Sequence, residues 1–259
     1  MTSKDEVREG VWDALEEEGL ARFPFPPHGR IPNFDGAREA AERLAETAAW
    51  RDADAVKANP DAPQLPARRR ALHDGKTLYM AVPRLRDPEC FLELDPARID
   101  PEEYDRAPAL SNVEEYAAAV RPEALGHVDL VLSGSVAVSE DGARVGKGEG
   151  FSDFEFAILT DLGLVGPTPG SAHRTASGDG GLASDAATTV ATTVHETQVF
   201  EAATWPVADH DVPMDLVVTP ERVVETGTPY DRPDGVDWDA VSEAEREEIP
   251  VLRELDPGR

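Results

Sequence analysis

Three observations predict an α/β fold built on a largely parallel sheet. Short apolar, β-branched runs at residues 77–82, 128–132, 190–194 and 216–218 read as buried strands. Segments of helical periodicity alternate with them, which is the order of a sheet whose strands are joined by crossover helices. Glycine or proline punctuates the changeovers, as at Gly75 and Pro83.

Taken in order, residues 4–20 alternate apolar and charged positions at helical spacing, with Val7, Val11 and Leu15 on one face, Trp12 beside them, and Gly19 as the stop. A proline-rich passage at 23–33 is too irregular for a regular element. Residues 36–50 resume a helical pattern with Ala40, Leu44 and Ala48 aligned. A short strand is predicted at 53–58, a helix at 66–74 ended by Gly75, and a strand at 77–82 stopped by Pro83. A weaker strand follows at 90–94, then a short helix at 113–120. The strand at 128–132 leads through a glycine-rich segment, 142–153, into a helix from Phe154 onward. Between 166 and 189 the composition turns to Gly, Ser, Ala, Thr and Asp, which predicts a mobile surface insertion. One α/β domain is therefore expected over 1–228, followed by an acidic, peripheral tail at 229–259 with a helical piece at 242–248.

A chain of 259 residues is long enough to bury a sizeable core, roughly 70–75% of its unfolded surface. With 25 basic against 52 acidic residues the net charge is −27, so a nucleic-acid partner and an anionic membrane surface are both excluded, and any anion site must be local. Only four lysines are present, Lys4, Lys57, Lys76 and Lys147. Dense negative charge with few lysines suits a salt-accumulating, halophilic cytoplasm, where the Debye length falls to about 3 Å near 1 M salt. Cys90 is the single cysteine, which rules out an intrachain disulfide and a cysteine-based zinc site. No apolar run approaches the ~18 residues of a membrane span, and the N-terminus is polar, so a cytoplasmic protein is expected, with a monomer favoured.

The segment from Gly142 to Asp153 packs four glycines, two cations and two carboxylates between a strand and a helix. Glycines there let backbone N–H groups approach an anion, and the helix N-terminus adds a partial positive charge. Lys147 supplies a mobile point charge and Arg144 a planar fork for oxyanions. The segment is neither a P-loop, since no Ser or Thr follows Lys147, nor a dinucleotide fingerprint, since Gly146, Gly148 and Gly150 alternate. Lys4 and Arg8 stand four apart on one helix face and form a second candidate phosphate site. Asp153, with Glu149 four residues before it, is a candidate for Mg²⁺ on bound phosphates. The six histidines form no HExxH pattern, and no nucleophile-elbow serine is present. His195 follows a predicted strand and His210 precedes one, so both are secondary candidates.

Together these residues resemble the 5-formyltetrahydrofolate cyclo-ligase family, closest to its methenyltetrahydrofolate synthase domain-containing branch. The resemblance is carried by residues 7–12, 30–34, 82–86, 129–153, 195–199 and 209–220. It implies a three-layer α/β fold of the NagB/RpiA/CoA-transferase-like kind, a mostly parallel sheet with helices on both faces. It also implies ATP- and Mg²⁺-dependent conversion of 5-formyltetrahydrofolate to 5,10-methenyltetrahydrofolate, with ADP and phosphate as by-products. Lys4 and Arg8 match the family's KxxxR pair that meets ATP phosphates. Arg144, Gly146, Lys147, Gly148 and Gly150 match its GxRLGxGxGYYDR loop, and Asp153 matches that motif's Asp, a metal-side carboxylate. The resemblance thus gives Arg144 and Lys147 catalytic roles, Lys4, Arg8, Gly146, Lys147, Gly148 and Gly150 contacts to ATP, and Asp153 the metal. Departures fall at Phe151 and Ser152, where the family has Tyr-Tyr, and at Phe154, where it has Arg. These define the alternative reading, a nucleotide-binding paralogue with another metabolic or regulatory role.

Overall fold

The computed structural model describes residues 1–82, 85–169 and 186–256. Its largest unit is an eight-stranded sheet in the order β13-β12-β10-β7-β3-β4-β5-β6. In chain order these are β3 (Ala55–Ala58), β4 (Thr77–Ala81), β5 (Phe91–Leu94), β6 (Ala118–Val120), β7 (Leu130–Leu132), β10 (Thr189–Thr193), β12 (Leu216–Val218) and β13 (Val223–Glu225). The five central strands run parallel, while β5, β6 and β13 are antiparallel additions at the edges.

Successive side chains of a strand point to opposite faces, and the sheet is apolar on both. Val56, Leu78, Leu130 and Leu216 pack one face against helices α2 (Ala37–Ala45), α3 (Ala48–Asp52) and α4 (Leu65–His73). Ala55, Tyr79, Val131 and Val217 pack the other against α6 (Phe151–Asp161) and α8 (Pro250–Leu255). Three layers result, as the resemblance implies. A third cluster joins α1 (Lys4–Glu17) to a small sheet of β8 (Ala137–Ser139), β9 (Arg144–Val145) and β11 (Val199–Phe200). Helix α1 begins at a Ser3–Glu6 capping box and buries Val7, Val11, Trp12 and Leu15, each worth about 1.5–3 kcal/mol relative to exposure. A two-stranded ribbon, β1 (Ala21–Arg22) with β2 (Asn33–Phe34), ties off the proline-rich passage as a loop.

Several expectations are corrected. The helix expected over 36–50 is two helices, because the Thr47 side chain caps a new start at Ala48. Residues 113–120 are one helical turn, α5 (Val113–Tyr116), followed by β6, where pairing along β5 overrides the alanine-rich helical preference. The helix after the glycine-rich segment starts at Phe151 rather than Phe154. Of the insertion expected at 166–189, residues 170–185 lie outside the described residues; its end is not a surface segment, since Thr188 is fully buried with its hydroxyl donating to the Val128 carbonyl and Thr189 opens β10. Pro83 and Arg84 also lie outside the described residues.

The tail is not peripheral. Val236, Val241, Ile249, Val251 and Leu252 are buried in the same cluster as α6, and Arg232 forms a largely buried ion pair with Asp215. Helices α7 (Glu243–Glu248) and α8 complete this layer. Acidic composition concealed the pattern, because the apolar residues are interleaved with the carboxylates of a solvated outer face.

Candidate functional site

Strand β3 is followed by β4 on one side and by β7 on the other, so the strand order reverses between β3 and β7. In open α/β sheets ligands bind at such a reversal, beyond the carboxyl ends of the strands. Here a cleft of about 1680 Å³ opens at that place, lined by Asn59 and Asp61 after β3 and by Gly134 after β7. A single small ligand usually occupies about 300–1,000 Å³, so this cleft has room for two.

The glycine-rich segment forms one wall. After β9 the chain runs through Gly146–Gly150 and enters α6, whose N-terminus no side chain caps and whose first residues line the cleft. Arg8 supports the loop from α1, its Nε donating to the Gly146 carbonyl at 2.7 Å. Gly148 sits at φ +104°, a backbone region that side chains rarely adopt, and a Cβ there would lie 3.4 Å from the Arg8 guanidinium carbon. Lys4 pairs with Asp211 at 2.5 Å, and Lys147 with Glu149 at 2.8 Å. Lys4, Arg8, Gly146, Lys147, Gly148, Gly150 and Asp153 all line this one cleft, although 138 residues separate Arg8 from Gly146.

Arg144 also reaches the cleft, but its buried guanidinium is spent on the scaffold. It donates to the Gly134 carbonyl at 2.9 Å and to Asp153 Oδ1 at 2.6 Å, tying the loop to the end of β7. Asp153 Oδ1 further accepts from the Val212 amide at 3.3 Å. No group of three or more His, Cys, Asp or Glu side chains forms a metal cage among the described residues. This donor set suits Mg²⁺, which usually takes one or two carboxylates and completes its shell with phosphate oxygens and water.

Beneath the loop is a network that sequence reasoning missed. Lys57 on β3 forms a buried ion pair with Glu155 on α6, and Asn59 Nδ2 donates to the same carboxylate at 3.1 Å. Asn59 Oδ1 in turn accepts from the Gly134 amide at 3.0 Å and from the Ser152 hydroxyl at 3.3 Å. One signal was present: a lone lysine within the apolar run that becomes β3. Arg68 on α4, also missed, is buried and fixes the turn after β3 by donating to the carbonyls of Asn59, Asp61 and Pro108. Burial lowers its guanidinium pKa to about 10. The Asp61 carboxyl is pushed above the ordinary range by burial, against the pull of Lys147 and Arg68. A Cβ on Gly134 would come within 3.3 Å of Asp61 Oδ2 and 2.9 Å of Ile31, so only glycine allows this approach.

Of the secondary candidates, His195 accepts from the Thr197 amide and caps a short turn; it does not line the cleft. His210 lines the cleft and is exposed. Phe151 and Phe154, where the resemblance has Tyr and Arg, line the cleft and pack against the cluster that holds the tail's Val236 and Val241.

The sequence model of the 5-formyltetrahydrofolate cyclo-ligase family matches residues 2–220, which takes in every element of the loop, α1 and the strand reversal. The chain belongs to the 5-formyltetrahydrofolate cyclo-ligase family. It is 40% identical over 254 residues to the methenyltetrahydrofolate synthase domain-containing protein of Mus musculus, covering 98% of this chain and 63% of that one. The Bos taurus protein of the same name is 39% identical over 254 residues, with 98% and 62% covered. The chain thus spans about three fifths of the length of these relatives, and the similarity runs beyond the family match into the tail. The NMR structure of Aquifex aeolicus 5,10-methenyltetrahydrofolate synthetase superposes with a TM-score of 0.50 at 15% identity, covering 86% of this chain and 92% of that one, which supports the cyclo-ligase fold.

Proposed function

We propose that this chain carries out ATP-dependent conversion of 5-formyltetrahydrofolate to 5,10-methenyltetrahydrofolate. The observation that carries the reading is the two-ligand cleft at the strand reversal, cationic and glycine-lined on one wall and carboxylate-bearing at Asp61. In this reaction the formyl oxygen takes the γ-phosphoryl group of ATP, releasing ADP. N10 then closes on the activated carbon, and the formyl oxygen departs with phosphate. Such chemistry depends on positioning and charge neutralisation more than on a protein nucleophile.

The residues divide that work. Lys4, Arg8 and Lys147 bind phosphate oxygens, exchanging their carboxylate partners for the ligand, while the amides of Gly146, Gly148 and Gly150 and the α6 N-terminus add donors. Arg144 acts on Asp153 and the loop, as a positioning residue, through its bonds to both sides of the site. Asp153 is the residue that would hold Mg²⁺, whose charge offsets that of the phosphates. Phe154 supplies no cation where the resemblance has one, and Arg144 is committed to Asp153, so Lys147 is the mobile cation of this loop.

The test is turnover. Purified chain in multimolar KCl, a medium suited to a charge of −27, should form the methenyl absorbance from 5-formyltetrahydrofolate only with both ATP and Mg²⁺ present. Lys147→Ala should weaken ATP binding about tenfold, the weight of one charge-assisted contact, with little change in thermal stability. Absence of turnover at every salt concentration, with ATP binding intact, would instead favour a nucleotide-binding paralogue.

A further inference from the structure

Six cationic side chains line the cleft among the described residues. Five have partners in the protein: Lys4 with Asp211, Arg8 with Asp5 and Gly146, Lys147 with Glu149, Arg144 with Asp153 and Gly134, and Arg68 with three carbonyls. Arg30 is the sixth. Its Nε is buried and accepted by nothing, and its guanidinium makes no ion pair or hydrogen bond among the described residues. Buried donors are nearly always satisfied, and an unmet one costs about 1–3 kcal/mol. What sets Arg30 apart is a buried donor left open at the wall of a cleft, which an acidic group from outside would satisfy.

Its setting narrows the ligand. Arg30 lies in the loop closed by β1 and β2, which pairs Ala21 with Phe34 and Arg22 with Asn33. The Asn33 amide fastens that loop by donating to the Phe23 carbonyl at 2.7 Å, and the Arg30 carbonyl accepts from Trp12 Nε1 at 3.1 Å. Phe23, from the same loop, also lines the cleft and keeps 76% of its surface exposed. An exposed aromatic ring and an unpaired guanidinium in one loop suit a ligand that carries a planar aryl group next to a carboxylate. A phosphate would need the cation and not the ring.

We infer that Arg30 is the receptor for the carboxylate end of the second substrate, with Phe23 packing on the aryl group beside it. The assignment rests on the cyclo-ligase reading, in which that end is the aminobenzoyl-glutamate portion of the folate. The planar fork takes both carboxylate oxygens, so the contact discriminates by geometry as well as by charge.

Equilibrium binding to the full chain decides it, using 5-formyltetrahydrofolate and 5-formyltetrahydropteroate, which lacks the glutamate. Wild type should bind the folate at least tenfold more tightly than the pteroate. Arg30→Met should remove that preference and leave ATP affinity unchanged, while Arg30→Lys should keep only part of it. Among the described residues the Arg30 side chain bonds to none, so Arg30→Met should melt no lower than wild type, which separates a binding role from a structural one. A preference unchanged in Arg30→Met, or a loss confined to ATP, overturns the assignment and leaves the cyclo-ligase reading standing. Wild type that binds neither folate compound rejects both.

Discussion

Replacing Lys57 by Met tests whether the network under the loop holds the site together. Lys57 and Glu155 are 1% and 5% exposed at their side chains, so neither partner can turn to water when the other is lost. Breaking a buried ion pair by removing one partner costs about 3–5 kcal/mol, chiefly because the remaining charge is stranded. At roughly 2–4 °C per kcal/mol for a domain near this size, Lys57→Met should melt about 6–20 °C below wild type. Replacing both partners, as Lys57→Met with Glu155→Leu, removes the stranded charge and should recover most of that loss. The double variant still deprives Asn59 of its carboxylate acceptor, so Gly134 and Ser152 lose a fixed partner. Nucleotide affinity should therefore remain low where stability returns. Thermal melts and ATP titrations of the two variants and wild type supply all the measurements. A Lys57→Met penalty below about 1 kcal/mol, or a double variant as unstable as the single, would refute the claim that the charge is desolvated and paired.

Asp61→Asn should stabilise the chain at neutral pH: burial raises the Asp61 pKa, so its folded state favours the protonated form, and the strain is felt as pH rises through the raised value. The gain, read from melting temperatures across pH, should vanish below the ordinary carboxylate range, where the group is protonated folded or unfolded; an equal gain at all pH values would contradict it. Burial pushes the Cys90 thiol up to about 12, so a thiol reagent at neutral pH should react with it only after unfolding. Rapid labelling of the native chain would show that Cys90 is not enclosed as described.

The parallel sheet was legible because its strands are short, apolar on both faces and bounded by breakers, as at Thr77–Ala81 before Pro83. The phosphate wall was legible too, since glycines and cations crowd one segment between a strand and a helix. Lys57, Asn59, Arg68 and Arg30 were not. Nothing in the local pattern marks their roles, which lie in where the fold puts them, as with Glu155, 98 residues from Lys57. Arg144 shows the converse: its position in the loop was evident, while its role as a brace depended on where the Gly134 carbonyl lies. The small sheet of β8, β9 and β11 escaped notice because strands of two or three residues leave no periodicity to read.

The tail has a bearing on the birth of the protein as well as on its shape. Every strand of the large sheet precedes residue 226, while Val236 and Val241, which line the cleft, come after it. On the ribosome the sheet and the phosphate wall can therefore assemble before Val236 and Val241 complete the cleft. For that interval the apolar flank of α6 has no cover, and a chaperone and the arriving tail would compete for the same surface.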